Sequence, residues 1–240
     1  MQKLHKGYKI LSDQGAGELF KQIYNHYIAP LLPSICAQYN GVETFGAKLF
    51  DNHISWRKKN KPSYESGLVD SLIQNVDSSD HVVIVGGGWG VTAVRSAQVV
   101  GSDGKVSVFE GSESQIAKVN STIELNGVSD RVDINHAVVG PNIGVYGNTG
   151  DAEIVSPSDL PKCDVLELDC EGSELEILEN LELRPRVIIV ESHGRYNSST
   201  KDVIDTLNDL NYHIKSVSLA EISEHCIQHD IRVITGLHNV

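Results

Sequence analysis

The residues most able to do chemistry fall in four short segments. The first is Val82-Val83-Ile84-Val85-Gly86-Gly87-Gly88-Trp89-Gly90, an apolar β-branched run that breaks into glycines. Glycines at such a break let the backbone turn sharply and approach a ligand closely. A helix starting behind them offers unpaired amides to a negative group. The second is Val106-Ser107-Val108-Phe109-Glu110-Gly111, which ends a further apolar run in an acid about 24 residues after Gly86. Nucleotide-binding folds place a ribose-binding carboxylate at about that distance, roughly 20 residues on. The third and fourth are Asp169-Cys170-Glu171 and Glu191-Ser192-His193, each directly after an apolar run.

The glycine spacing separates two cofactor classes. A dinucleotide fingerprint needs G-x-G-x-x-G, and Val91 stands where its third glycine would fall. The pattern Gly86-x-Gly88-x-Gly90 is instead the form found in methyltransferase loops. There a helix N-terminus can meet the methionine carboxylate of S-adenosylmethionine, and Glu110 can accept bonds from both ribose hydroxyls. Each charge-assisted bond of that kind is worth roughly 1.5–3 kcal/mol.

These segments need a frame that brings them together. Leu68, Leu72, Ile73 and Val76 share one helix face. Strands are expected at 81–85, 105–110, 131–139, 164–168, 187–190, 212–217 and 231–235. Helices are expected at 91–100, from Ser112 to Asn126-Gly127, at 172–181 and at 201–210. This alternation predicts a Rossmann-like α/β fold, a mostly parallel seven-stranded sheet with helices on both faces. One of the last two strands is expected to run antiparallel. Residues 141–161, rich in Gly, Asn, Pro and Ser, read as an irregular excursion. In such sheets ligands bind beyond the carboxyl ends of the strands. If 164–168 and 187–190 are neighbours, Asp169, Glu171, Glu191 and His193 line one cleft.

Residues 1–63 read as an N-terminal helical or irregular extension, and 64–240 as the catalytic domain. Gly17 to Tyr39 looks helical, interrupted at Pro30 and Pro33, and Phe45 to Trp56 could form a hairpin. The extension is expected to cover the acceptor side of the cleft. Arg57-Lys58-Lys59-Asn60-Lys61 is a basic run, either a solvated loop or a contact to an anionic acceptor.

Net charge sets further bounds. At −12 the chain is a poor partner for nucleic acid, whose phosphates attract clustered Lys and Arg. Surplus carboxylates suit a salt-adapted host and an ordinary acidic enzyme equally. Cys36, Cys163, Cys170 and Cys226 show no metal-type spacing and are expected to be buried, reduced thiols. No apolar run is long enough to span a bilayer and the first residues lack a signal-peptide pattern. A cytoplasmic location is expected, with work at the inner face of the plasma membrane compatible with it.

From Tyr64 onward the chain resembles the FkbM family of methyltransferases. The glycine loop and Val108 to Gly111 carry the resemblance. So do Asn120 with Leu125-Asn126-Gly127-Val128, and Asn135-His136-Ala137-Val138. Leu166-Glu167-Leu168-Asp169-Cys170-Glu171-Gly172-Ser173-Glu174 is similar to the family's I-K-I-D-x-E-G-x-E signature, and Val187 to His193 to its I-I-x-E-x-H segment. The family usually has an acid two residues before the first glycine, where this chain has Ile84.

The resemblance implies a class I methyltransferase fold and S-adenosylmethionine as cofactor. Gly86, Gly88, Gly90, Glu110, His136 and Asp169 are the expected cofactor-binding residues. Asp169, Glu171, Glu191 and His193 are the expected catalytic residues, with His193 the candidate general base because an ordinary imidazole titrates near 6.5. Arg195 is the expected acceptor clamp. A metal role for the acids and His193 is conceivable, but the resemblance does not imply one, so no metal is expected. FkbM-like enzymes are mostly small-molecule and glycan methyltransferases, some of them in archaeal glycosylation pathways. The expected acceptor is a sugar, specifically the carboxyl of a hexuronic acid in a surface or N-linked glycan assembled on a lipid carrier. A polyketide or other small metabolite is the alternative acceptor, and a catalytically silent binding module the alternative of another class.

Overall fold

The computed structural model describes residues 35–47, 60–140, 149–196 and 198–239. Three strands come first: β1 (Ile35–Tyr39), β2 (Val42–Ala47) and β3 (Asn60–Lys61). Then follow α1 (Ser66–Asn75), β4 (His81–Val85), α2 (Val91–Val100), β5 (Lys105–Glu110) and α3 (Glu113–Leu125). Next are β6 (Val132–Val139), β7 (Glu153–Val155), β8 (Val165–Leu168), α4 (Glu174–Glu179) and β9 (Val187–His193). The described chain closes with α5 (Thr200–Asp209), β10 (Tyr212–Leu219), α6 (Glu224–His229) and β11 (Ile231–His238).

The main sheet has eight strands in the order β10-β11-β9-β8-β4-β5-β6-β7. Its parallel centre reverses direction only at β11, which runs antiparallel to both β9 and β10. The expected seven strands are all there. The eighth, β7, is a three-residue strand within the stretch read as irregular, pairing parallel with Ala137–Val139 of β6. It is too short, and too close to Pro157, to give an alternating pattern. Helix α6 also lies outside the expected elements.

Side-chain alternation along the central strands divides the core in two. Val82, Ile84, Val106, Val108, Val165 and Ile189 face α1, α2 and α3, while Val83, Val85, Leu166, Leu168, Ile188 and Val190 face α4 and α5. Both faces are covered, which is why these strands are continuous apolar runs. Val203 and Leu207 of α5 seal the second core at full burial.

The N-terminal part departs from the helical reading. Residues 35–39 are a strand, joined to β2 by Asn40 (φ 49°) and Gly41 (φ 75°). Two successive left-handed residues form the primed hairpin turn that Asn-Gly favours. Gly17 to Ser34 of that reading, and 48–56 of the possible hairpin, lie outside the described residues. The hairpin is not a separate unit. Ala37, Tyr39 and Val42 are buried in the same core as α1 to α3. Asn126 at the end of α3 clasps β2 twice, donating to the Glu43 carbonyl at 2.7 Å and accepting from its amide at 3.2 Å.

One buried group on the α1–α3 face is out of character. Glu167 of β8 is 1% exposed, and neither carboxylate oxygen has a hydrogen-bond partner among the described residues. Burial, then the charge of Glu65, push its pKa well up against an opposing pull from the Thr92 hydroxyl, and the net effect favours the neutral acid. Its register partner on β4 is Ile84. Ile84 stands where the FkbM pattern usually has an acid and Glu167 where its signature has a lysine, so these two departures are cross-strand neighbours. An unpartnered buried carboxyl is costly, so Glu167→Met should raise the unfolding free energy by roughly 1–3 kcal/mol. Urea unfolding checks this, and an unchanged or lower midpoint would count against it.

Candidate active site

The cleft opens at the carboxyl ends of β4, β5, β8 and β9 and has a volume of about 1040 Å³. That is room for a nucleoside together with an acceptor. Its floor is the turn from β4 into α2. Gly86 (φ 100°), Gly88 (φ 49°) and Gly90 (φ 78°) all hold left-handed backbone, but they do different things. A Cβ on Gly86 would lie 1.9 Å from the Asp169 carbonyl oxygen, so only glycine lets β4 and β8 meet there. Gly88 lines the cleft. Gly90 does not: a Cβ there would sit 3.2 Å from Cα of Val119, so this glycine packs α2 against α3. The amides of Gly88 and Trp89 have no hydrogen-bond partner among the described residues and are open to an anionic group.

Glu110 is 8% exposed and fixed at both oxygens. Gly87 N donates to Oε2 at 2.9 Å and Ser112 N donates to Oε1 at 2.8 Å. A carboxylate oxygen has two lone pairs, so each keeps one acceptor site free for a hydroxyl. The expected ribose role is thus compatible with the anchoring, and the anchoring sets the carboxylate plane in advance. His136 sits differently from the expectation. Its ring bonds the Gly111 carbonyl at 3.3 Å and does not line the cleft. Trp89 does line it, with the edge of Tyr39 5.3 Å away and the Lys118 ammonium 4.5 Å over the ring.

The reacting side lies over β8 and β9, which are parallel neighbours with Leu168 opposite Val190. That pairing brings Asp169, Glu171, Glu191 and His193 into one cleft. The group that organises them is Glu174, in the first turn of α4. It is 0% exposed and accepts from the amide of Gly172 at 2.9 Å and from that of Cys170 at 3.3 Å. Its Oε1 lies 2.8 Å from His193 Nδ1, and His193 Nε2 then stands 3.6 Å from Asp169 and 3.5 Å from Glu191. Glu174 stood inside the matched signature as its final acid, but nothing in the spacing tied it to a histidine 19 positions on.

These contacts change the expected role of His193. Burial works to lower its pKa, but Glu174 and Glu191 as acceptors, with the charges of Asp169 and Glu174, push it up to about 12. An imidazolium has no lone pair with which to take a proton, so the ordinary-pKa argument for a general base does not hold in this environment. Burial, then Glu191, raise Asp169 against the pull of His193. Glu174 is held below its ordinary value: burial opposes this, but the His193 hydrogen bond and charge prevail.

The outer wall comes from residues that no single motif marked. Lys61 bridges to Glu221 at 2.7 Å, and Glu221 also accepts from the Glu65 amide at 3.1 Å, tying the N-terminal part to the loop before α6. Lys61 is thus the described member of the basic run that reaches the cleft, and it is already paired. Glu65 lies beside it, its pKa raised to about 8 by burial, in part against the pull of Tyr64 and with the added repulsion of Glu191 and Glu221. Tyr196 completes this side: a Cβ on Gly172 would lie 2.7 Å from Tyr196 Cβ, so that glycine admits the turn that carries it. The side chain of Arg195, the expected clamp, lies outside the described residues. Among the cysteines, Cys226 is buried and Cys163 and Cys170 half-buried as free thiols, whereas Cys36 is exposed, contrary to expectation.

The sheet order and the cleft at its topological switch define the class I methyltransferase fold, and solved structures agree. An S-adenosylmethionine-dependent O-methyltransferase from Thermotoga maritima superposes with a TM-score of 0.51 at 17% identity, covering 87% of this chain and 78% of that one. A precorrin-6y C5,15-methyltransferase from Geobacter metallireducens gives 0.52 at 12% identity over 78% and 92%. An S-adenosylmethionine-dependent methyltransferase from Aquifex aeolicus gives 0.50 at 13% over 75% and 94%. No curated relative matches the chain by sequence. Residues 96–214 match the methyltransferase FkbM domain. The chain therefore carries an FkbM-family methyltransferase domain and is an S-adenosylmethionine-dependent methyltransferase. Among the described residues no helix is long and apolar enough to cross a membrane.

Proposed function

We propose that the chain is an O-methyltransferase whose acceptor is a sugar hydroxyl of a glycan. S-adenosylmethionine supplies the methyl group. The open amides of Gly88 and Trp89 and the free lone pairs of Glu110 suit its carboxylate and ribose, so Gly86–Trp89, Glu110 and Asp169 are the residues to hold it. One observation carries the acceptor reading: the far side of the cleft is lined by Glu65, Glu171, Glu191 and Glu221 beside the Tyr196 ring. Carboxyl groups that can bond several hydroxyls, with Glu65 held as a neutral acid near pH 7 and Glu221 already paired with Lys61, suit a polyol next to an aromatic face. The surplus of acids over the paired Lys61 disfavours a carboxylate, which makes the methyl ester of a hexuronic acid the less favourable form of this reading. Exposed Ile222 and Ile227, next in the chain to the cleft-lining Glu221, Ser223 and Cys226, suit the lipid on which a glycan is carried.

The test is transfer of labelled methyl from S-adenosylmethionine to neutral and uronic oligosaccharides, followed by mild alkali. Alkali-stable label on a sugar is the expected result, because ethers survive where esters hydrolyse. Label lost in alkali would shift the acceptor atom to the carboxyl. Transfer to no sugar at all, with S-adenosylhomocysteine bound normally, would overturn the sugar reading.

A further inference from the structure

We propose that Asp169, Glu191 and His193 form a binding site for one divalent metal ion of the first transition row, facing the acceptor. The inference builds on the O-methyltransferase reading, but its geometry stands apart from it. Asp169 Oδ1, Glu191 Oε1 and His193 Nε2 all lie within 4.8 Å of one another. The two contacts from Nε2, 3.5 and 3.6 Å, are longer than the roughly 2.7–2.9 Å of a charge-assisted hydrogen bond. They are close to the spacing of neighbouring ligands around a shared ion, about 3 Å for bonds of roughly 2.1 Å.

The second observation lies behind the ring. The His193 side chain is 6% exposed and aims Nε2 into the gap between the two carboxylates. Its Nδ1 is held at 2.8 Å by Glu174, which is itself fixed by the Gly172 amide. A buried carboxylate on the far ring nitrogen is the arrangement that orients a metal-ligating histidine and leaves Nε2 as the ligand atom. One nitrogen with two carboxylate oxygens suits Mn²⁺, Fe²⁺ or Zn²⁺ better than Mg²⁺, because imidazole favours the transition metals. Three protein ligands leave coordination positions open. Those positions face the cleft, where a bound hydroxyl would become more acidic. Coordination would displace the Nε2 proton that the ring otherwise holds, so binding would release a proton and tighten as pH rises, and the ion does what His193, committed to Glu174, cannot do as a base.

The test is titration of the full chain with MnCl₂, read by calorimetry and by the loss of the free Mn²⁺ electron-spin-resonance signal. One saturable ion per chain is expected. Glu191→Gln and His193→Ala should each weaken it at least tenfold, while Asp205→Asn, on the exposed face of α5, should not. His193→Ala strands Glu174 and can fail to fold, whereas Glu191 lies at the cleft edge and its glutamine keeps the shape. No saturable binding at millimolar Mn²⁺, or equal binding in Glu191→Gln, would overturn the site. Sugar methylation that persists in excess chelator, with no Mn²⁺ bound, removes the ion and keeps the proposed function. Saturable Mn²⁺ with no sugar methylated does the reverse.

Discussion

Gly86→Ala should cost roughly 2–5 kcal/mol of stability, enough at the upper end to unfold much of a marginal domain. Left-handed backbone in a residue with a side chain costs about 1–2 kcal/mol, and forcing an atom into a packed contact costs about 1–3 kcal/mol more. Both apply here, because φ is 100° and the new Cβ would lie 1.9 Å from the Asp169 carbonyl oxygen. That carbonyl belongs to backbone in register with β4 and cannot move without displacing the site. Gly101→Ala provides the control. Its φ is 72° but nothing lies within 4 Å of the added carbon, so it should show the backbone cost alone. Chemical unfolding of both variants separates the two contributions. Equal losses would mean that the β4–β8 crossing is not as tight as the geometry states.

The second large effect is expected at Glu110. Glu110→Gln should weaken S-adenosylhomocysteine binding by about 10²–10⁴-fold, the value of two charge-assisted bonds at roughly 1.5–3 kcal/mol each. A glutamine has one acceptor oxygen where the present group has two. Its amide nitrogen must then face either the Gly87 or the Ser112 amide, donor against donor. The substitution therefore harms the loop as well as the ribose contact, and Glu110→Asp, too short to reach both amides, should not rescue it. Calorimetry with S-adenosylhomocysteine reads the loss. A change under tenfold would remove Glu110 from the cofactor site.

Much of the catalytic domain was legible because its strands are buried on both faces and end in residues that apolar runs do not tolerate. The breaks at Gly86, Glu110, Asp169 and Glu191 marked the strand ends that meet at the cleft. What was not legible depended on contacts between distant segments. Glu174 meets His193 only because β8 and β9 are neighbours, and that contact turned an expected base into a cation. Glu65 and Glu221 reach the cleft from segments with no motif. The Asn40-Gly41 hairpin is a different case. Its turn signal is local and strong, but the apolar spacing from Gly17 onward suggested a helix, and two residues of turn chemistry settled residues 35–39 instead.

Tyr39 of the hairpin is the middle ring of an aromatic cluster, stacked on Tyr64 at 4.5 Å and edge-on to Trp89 at 5.3 Å, and both of those neighbours line the cleft. Trp89 is the tryptophan among the described residues, and it lines the cleft. Whatever enters there alters the polarity around its indole and the quenching by its tyrosine neighbours. The protein thus contains its own fluorophore for following occupancy in real time, without a label and without turnover.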